Sequence, residues 1–575
     1  MRGPTGNGHG GGFFTRPGLI LVASGVPMAE AALVGAFAPA ARALAPQVTA
    51  LAPLAVFHDL RWLFGAGGTW LDFWLILIGV VAGRSILDAA LAWLSWPRGQ
   101  ARPRPVILAA SGAMLTLCAA LFLFPLVTVT FGVALLPFSW PFLGVLPLLV
   151  LLGLLFSHGS TTSWWWRMLP TARAGGWLLA DFLALSLAAV VISRVPGDWA
   201  IPVAGIAGII NGRAWYGVTT SVAVPRPAGR RRSVARPVTW PIPVAPVAAV
   251  LAIAVVVGVA REGFEAAGNV RHPAPAVAAA AAAQLAPVLR PAGSAARTTS
   301  GGARPAVLEV AGFGSHYYRQ SPSLQAIAGG AVAQQFSYRG LDAAGQPLPY
   351  GPGASDLPLP VLGDRIAAQV ERLHRDTGQL VDVVAESEGT LGVYAMLARH
   401  PDVPVRSIVM LSPIISPGQV SYPTGDRGGD GAVAGDALRA IVWFIGGLSP
   451  YGNSGADKLI DSVNSTGALY AQEALRYSRD RPYRWLGVIP LADTLTLPAC
   501  ALPTQAVVVP GLHGGLLSDP SVQQSVRSFL AGGPVRAAAR LRDAATIVTQ
   551  AALAWRMPEL QSPSPPCPAP GAYAG

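Results

Sequence analysis

Seven apolar runs of about 20 residues each, the length a helix needs to cross the hydrocarbon core of a bilayer, fill most of the first 260 positions of this 575-residue chain. They cover 18–40, 69–95, 106–134, 139–157, 176–193, 199–218 and 238–260. Such a succession predicts an all-α transmembrane bundle of about seven spans over 18–260, after a short N-terminus at 1–17. Glu30 interrupts the first run. A signal peptide is the alternative there, although the apolar region is long and no small-residue cleavage site follows. Arg84 and Asp88 sit four apart in the second run. Intramembrane charges are costly and often functional, but this spacing lets the two satisfy each other as an i,i+4 pair. No run shows the repeated polar face of a transport path.

Arginine supplies the orientation. Residues 1–300 hold 21 arginines and eight acidic residues, so the chain's formal charge of +12 comes from this half. The arginines concentrate in PRGQARPRP (97–105) and PRPAGRRRSVARP (225–237), between the apolar runs. That is the distribution of cytoplasmic loops, which carry the excess of Lys and Arg, and not of a nucleic-acid surface. Four runs lie between the two loops, an even number, so both fall on one side. One further run, 238–260, then carries everything after it across the membrane. The C-terminal half is therefore expected on the extracytoplasmic side.

Residues 261–303 are rich in Ala and Pro and read as a linker. From 306 the pattern changes to alternating strand and helix. Strands are expected at 306–311, 334–338, 380–385, 405–411, 485–492 and 505–511. Helices are expected at 321–333, 355–376, 388–399 and 519–531. This alternation predicts a parallel sheet covered by helices on both faces.

Within it, VDVVAESEGTLGVYAML (381–397) runs an apolar strand into Ser387 and straight on into a helical pattern. Ala385 and Gly389 flank the serine at two residues on either side, as a sharp strand-to-helix turn with an exposed hydroxyl requires. Ala stands where Gly is usual at the first of these positions. After Ser387 the chain holds two histidines. His400 reads as a helix C-terminal residue. His513, in VVVPGLHGG, directly follows an apolar strand and is the candidate base. Asp493, at the end of the strand in VIPLADTLTLP, is the candidate acid, with Asp480, Asp461 and Asp457 as fallbacks. A serine hydroxyl becomes an effective nucleophile when a histidine removes its proton, and a carboxylate fixes that imidazole. An oxyanion hole is expected from the backbone N–H of Glu388 and from Phe313 or Gly314 in AGFGSHYY (311–318). Glu386 and Glu388 flank the serine and read as solvated edges of the turn, the alternative being carboxylates that raise the pKa of the histidine. His316, Tyr317 and Tyr318 read equally well as substrate-lining residues or as a packed loop.

Residues 304–534, about two-fifths of the chain, resemble the α/β-hydrolase superfamily, nearer its lipase and esterase branches than its peptidases. The resemblance implies hydrolysis of a carboxylic ester, lipid or otherwise, through an acyl-enzyme on Ser387, Asp493 and His513, with no cofactor. It also implies that the insert at about 414–484, with an apolar patch around Trp443 and Phe444, forms a cap or lid; a plain core helix is the equal alternative. Transfer of the acyl group to an envelope acceptor, and a non-catalytic ligand-binding, transport or scaffold protein, are the competing functions. There is no Cys/His spacing of a metal site and no phosphate-binding glycine loop. Residues 535–575 read as a tail. Cys118 lies mid-span, while Cys500 and Cys567 both fall on the expected outer side, where a disulfide between them can persist.

Overall fold

The computed structural model describes residues 13–66, 69–114, 116–117, 172–223, 305–318, 321–414, 456–467, 483–492, 506–535 and 539–555, with scattered positions between 433 and 474. It has two parts, a helical half before residue 224 and an α/β half after residue 304.

The α/β half is built on six strands: β1 (Ala306–Val310), β2 (Val332–Gln335), β3 (Val381–Glu386), β4 (Val405–Leu411), β5 (Arg484–Ala492) and β6 (Ala506–Leu512). Their order is β2-β1-β3-β4-β5-β6, and every ladder is parallel. Parallel strands are buried on both faces, and the side chains sort accordingly. Leu308, Val383 and Ile408 pack on one face, beneath the helices Leu359–Thr377 and Glu388–Arg399. Val307, Val384 and Val409 pack on the other, against Pro322–Ala328 and Pro520–Leu530. The expected α/β sheet is thus present, with β2 starting two residues before its predicted position.

The helical half contains α1 (Pro17–Phe37), α2 (Ala52–Ala66), α3 (Trp70–Ser95), α4 (Ala172–Ile192) and α5 (Ala200–Ala223). Among the described residues two helices, α1 and α3, are long and apolar enough to cross a membrane, against the seven spans expected from the sequence. The fifth run forms a shorter apolar helix, Gly176–Ile192, and α5 does not reach the same apolar standard. The fourth and seventh runs, and the third beyond residue 117, lie outside the described residues. In α1 and α3 only 28% of the most apolar 18-residue window is buried. Leu21, Leu33, Leu75, Ile78 and Ile86 face outward instead.

Small residues set the packing in this half. A Cβ on Gly208 of α5 would stand 2.0 Å from the Ala23 carbonyl oxygen of α1, so the two backbones touch only because that position is glycine. Helix α2 had no counterpart in the sequence reading. It lies in the core of this half, with Leu54, Phe57, Leu60 and Leu63 buried. It also changes the reading of Arg84, whose guanidinium takes both oxygens of Asp59 on α2 at 2.6 and 2.7 Å, while Asp88 stands at 3.5 Å. The i,i+4 pair is the minor contact because Asp59 reaches the arginine side-on with both oxygens.

The two halves are joined by a segment expected to be only tail. Helix α6 (Ala539–Ala552) covers the sheet edge at Ile489, Ala506 and Val508 through Ala545. It leads into a short turn, Leu553–Trp555. Trp555 is buried in the helical half, stacked on Phe182 at 4.6 Å and donating to Ser186 Oγ at 3.0 Å. The Ala554 carbonyl accepts from Arg61 at 2.7 Å and from Gln47.

Candidate active site

Ser387 stands between β3 and the helix Glu388–Arg399 with φ 54° and ψ −119°. A non-glycine residue at positive φ costs on the order of 1–3 kcal/mol and persists only where its surroundings enforce it. Here the Ser387 N–H is held by the Leu411 carbonyl of β4 at 3.0 Å. The space around it is equally tight. A Cβ on Gly389 would lie 2.6 Å from the Val310 carbonyl oxygen, so the helix can start this close to β1 only with glycine there. Ala385, fully buried in β3, is small enough for the same turn.

The hydroxyl meets the predicted base. Ser387 Oγ and His513 Nε2 are 2.8 Å apart, across 126 residues of sequence. The His513 loop leaves β6 at the same edge of the sheet and is tied back to the turn by Glu386, whose Oε1 accepts the Leu516 N–H at 2.7 Å. Glu386 is buried, not a solvated edge, and as the residue before Ser387 it ties the His513 loop to the turn. Asp493, the predicted acid, lies outside the described residues, as do Asp480, all three cysteines, and Trp443 and Phe444 of the expected lid. The described parts of the insert divide between the two halves, with Leu459, Val463 and Tyr470 packed into the α/β core. Val433 is buried with the helical half, and Trp70 Nε1 donates to Asp436 Oδ2 at 3.0 Å. His400 caps the helix Glu388–Arg399, with its Nε2 2.7 Å from Asp364 Oδ1, as a helix-end residue should.

The loop after β1 passes over the serine. A Cβ on Gly312 would sit 3.1 Å from Ser387 Cβ and 3.7 Å from Oγ. Of the two oxyanion donors expected in this loop, Gly314 is already committed, its N–H donating to Ser355 Oγ at 2.9 Å. The Phe313 N–H has no hydrogen-bond partner among the described residues. Glu388 opens its helix, where the N–H has no intrahelical acceptor. The loop is pinned from behind by the Tyr338 hydroxyl, which donates to the Ala311 carbonyl. Tyr317 packs against the core beside Tyr350, while Phe313 and Tyr318 remain exposed.

A layer of carboxyls lies under this turn. Glu388 is buried, 3.5 Å from the Tyr338 hydroxyl, and burial with the nearby Asp356 pushes its carboxyl well above the usual range. Burial likewise raises Glu309 of β1 to about 7, against the hydrogen bonds it receives from Ser321 and Ser323. Both are neutral acids beside the elbow over the lower pH range, so Glu388 is no more a solvated edge than Glu386. Sequence reasoning set Glu386 at the solvated edge and missed Ser355 and Tyr338. Glu386 was legible as the neighbour of the serine though not as buried, while the other two carry no local signal. Among the described residues no cluster of His, Cys, Asp and Glu suited to a metal ion is found. No protein family and no curated protein matches the chain.

Proposed function

We propose that this chain is a membrane-anchored serine hydrolase of carboxylic esters, with Ser387 as nucleophile and His513 as general base. One observation carries the reading: Ser387 Oγ lies 2.8 Å from His513 Nε2 on a left-handed strand-to-helix turn of a parallel sheet. That is the arrangement of an α/β-hydrolase elbow. In the proposed reaction His513 takes the hydroxyl proton as Oγ attacks the acyl carbon. The oxyanion is met by the N–H groups of Glu388 and Phe313. His513 then returns the proton to the departing alcohol, and water enters by the same path to release the acid. Asp493 is assigned to the imidazole.

The topology of the helical half supports an extracytoplasmic site. Arg16 of the α1 N-terminus donates to the Leu94 and Trp96 carbonyls at the end of α3, beside Arg98 and Arg102. The sheet attaches at the other end, where Arg194, just past α4, meets Gln550 of α6 at 2.8 Å. By the positive-inside rule the arginine end is cytoplasmic, and the hydrolase lies opposite.

The test is labelling of the full-length protein with a fluorophosphonate probe, together with turnover of a panel of p-nitrophenyl esters. Wild type should label and turn over. Ser387→Ala should lose labelling and at least about 10⁴-fold in kcat, and His513→Ala should match it, because such residues act as a unit. Asp493→Asn should cost less. Retained hydrolysis in Ser387→Ala would overturn the assignment.

A further inference from the structure

Six ionisable side chains meet inside the helical half: Glu30 of α1, His58, Asp59 and Arg61 of α2, and Arg84 and Asp88 of α3. His58 is 3% exposed and stands at their centre. Its Nδ1 is 2.9 Å from Asp59 Oδ1 and its Nε2 is 2.8 Å from Glu30 Oε1. Asp59 is held in turn by Arg84, and the fully buried Arg61 sits within electrostatic reach of Glu30 and Asp59. Other charges packed nearby are engaged elsewhere. Arg42 donates to the Gly35 carbonyl, and Asp181 of α4 accepts the Leu51 N–H.

The same His58 Nε2 has a second neighbour. Trp62 Nε1, one turn along α2, lies 3.0 Å away. These neighbours make opposite demands. A carboxylate accepts, so Glu30 requires a proton on Nε2; an indole N–H only donates, so Trp62 requires a lone pair there. One ring nitrogen offers one or the other. The charge count favours the proton. Three carboxylates against two guanidiniums leave the group at −1, and an imidazolium brings it to zero. An uncompensated charge in an apolar interior is costly.

We propose that His58 is the centre of a proton-binding site in the helical half, its imidazolium bridging Glu30 and Asp59 and its neutral form passing Nε2 to the Trp62 indole. In the release step the Nε2–H bond breaks, a Glu30 Oε1–H bond forms, and the freed lone pair accepts the Trp62 N–H. Glu30, 15% exposed against 3% for His58, then passes the proton to water. No electron changes hands. The site is independent of the reaction proposed for Ser387. It nevertheless lies on the helix whose Arg61 holds the Ala554 carbonyl, so the proton sits one turn from the joint between the two halves.

Full-length protein labelled with ¹⁵N-histidine in detergent micelles tests this by NMR titration, the His58 resonance being identified by its loss in His58→Asn. Wild-type His58 should be doubly protonated at pH 7, above the ordinary histidine midpoint of about 6.5. Glu30→Gln, which removes the partner of the charged form, should lower the midpoint by about 1–2 pH units. Trp62→Phe, which removes the partner of the neutral form, should raise it by about half a unit. Should His58→Asn fail to fold, the resonance is identified by its loss in His58→Gln. A wild-type His58 that is neutral at pH 7, or variants that shift it in the same direction or not at all, would overturn the proposal.

Discussion

The two halves place their polar groups in opposite ways. In the α/β half the strands are largely apolar, with Glu309 of β1 and Asp382 of β3 as buried exceptions, and the candidate reactive groups gather where strands end: Ser387 after β3, His513 after β6, Phe313 after β1. In the helical half the order is reversed. Its surface carries exposed Leu and Ile, while Glu30, His58, Arg61, Arg84 and Asp88 lie inside. A sheet satisfies its own backbone and can leave its edge loops free for chemistry. A bundle bathed in apolar surroundings can keep charges only by pairing them within. The candidate reactive residues of one half therefore lie at strand ends, while the charges of the other form an interior network between helices.

The most damaging change should be at the elbow. Gly389→Val would drive a side chain into the Val310 carbonyl 2.6 Å away. It should abolish fluorophosphonate labelling and lower the unfolding free energy of the α/β half by about 3 kcal/mol or more, as overpacking against backbone does. Unimpaired labelling would show that the edge site tolerates what a strand end should not. Next comes the joint. Trp555→Ala removes a fully buried indole and should cost about 3–5 kcal/mol, read as a drop in the melting temperature of the full chain with esterase kcat little changed. Equal loss of activity would mean that the halves are not separable.

A smaller effect concerns pH. Glu309 is raised to about 7 from 4.5 by burial. Its folded form therefore holds a proton more tightly than its unfolded form. The stability this contributes is complete at low pH and is lost as pH rises from 4.5 through 7. Denaturant melts of wild type should fall by up to roughly 3 kcal/mol over that window, and Glu309→Gln should flatten the curve. The smallest change expected is at the rim: Asp364→Asn breaks the exposed pairs with Arg399 and His400 and should cost less than about 1 kcal/mol.

This division also decides what was legible. Every strand but β2 was readable because about five apolar residues between turn residues have few other fates, and Ser387 and His513 stood out because they sit at strand ends. The bounds of β2 moved two residues towards the N-terminus because VAQQ gives no apolar boundary, two of its residues being exposed. In the helical half, apolar runs announced α1 and α3 but not α2. Its charged residues His58, Asp59 and Arg61 make Ala52–Ala66 look like a loop, and only partners on α1, α3 and the distant Ala554 make it a core helix. Seven equal spans were expected because length and composition cannot distinguish a lipid-facing helix from one packed among its neighbours. Trp555 was out of reach for a simpler reason: its partners lie in the other half of the chain.

That separation has a consequence for how the protein is made. Trp555 meets Ser186 across 369 residues. At 5–20 residues per second, the ribosome needs roughly 20–75 s after finishing α4 before this tryptophan exists. Through that interval the socket of Phe182, Gln47 and Arg61 stands without its final occupant. The helical half therefore completes its packing only after most of the α/β half has been translated, and its Trp555 contact is among the latest the chain can form.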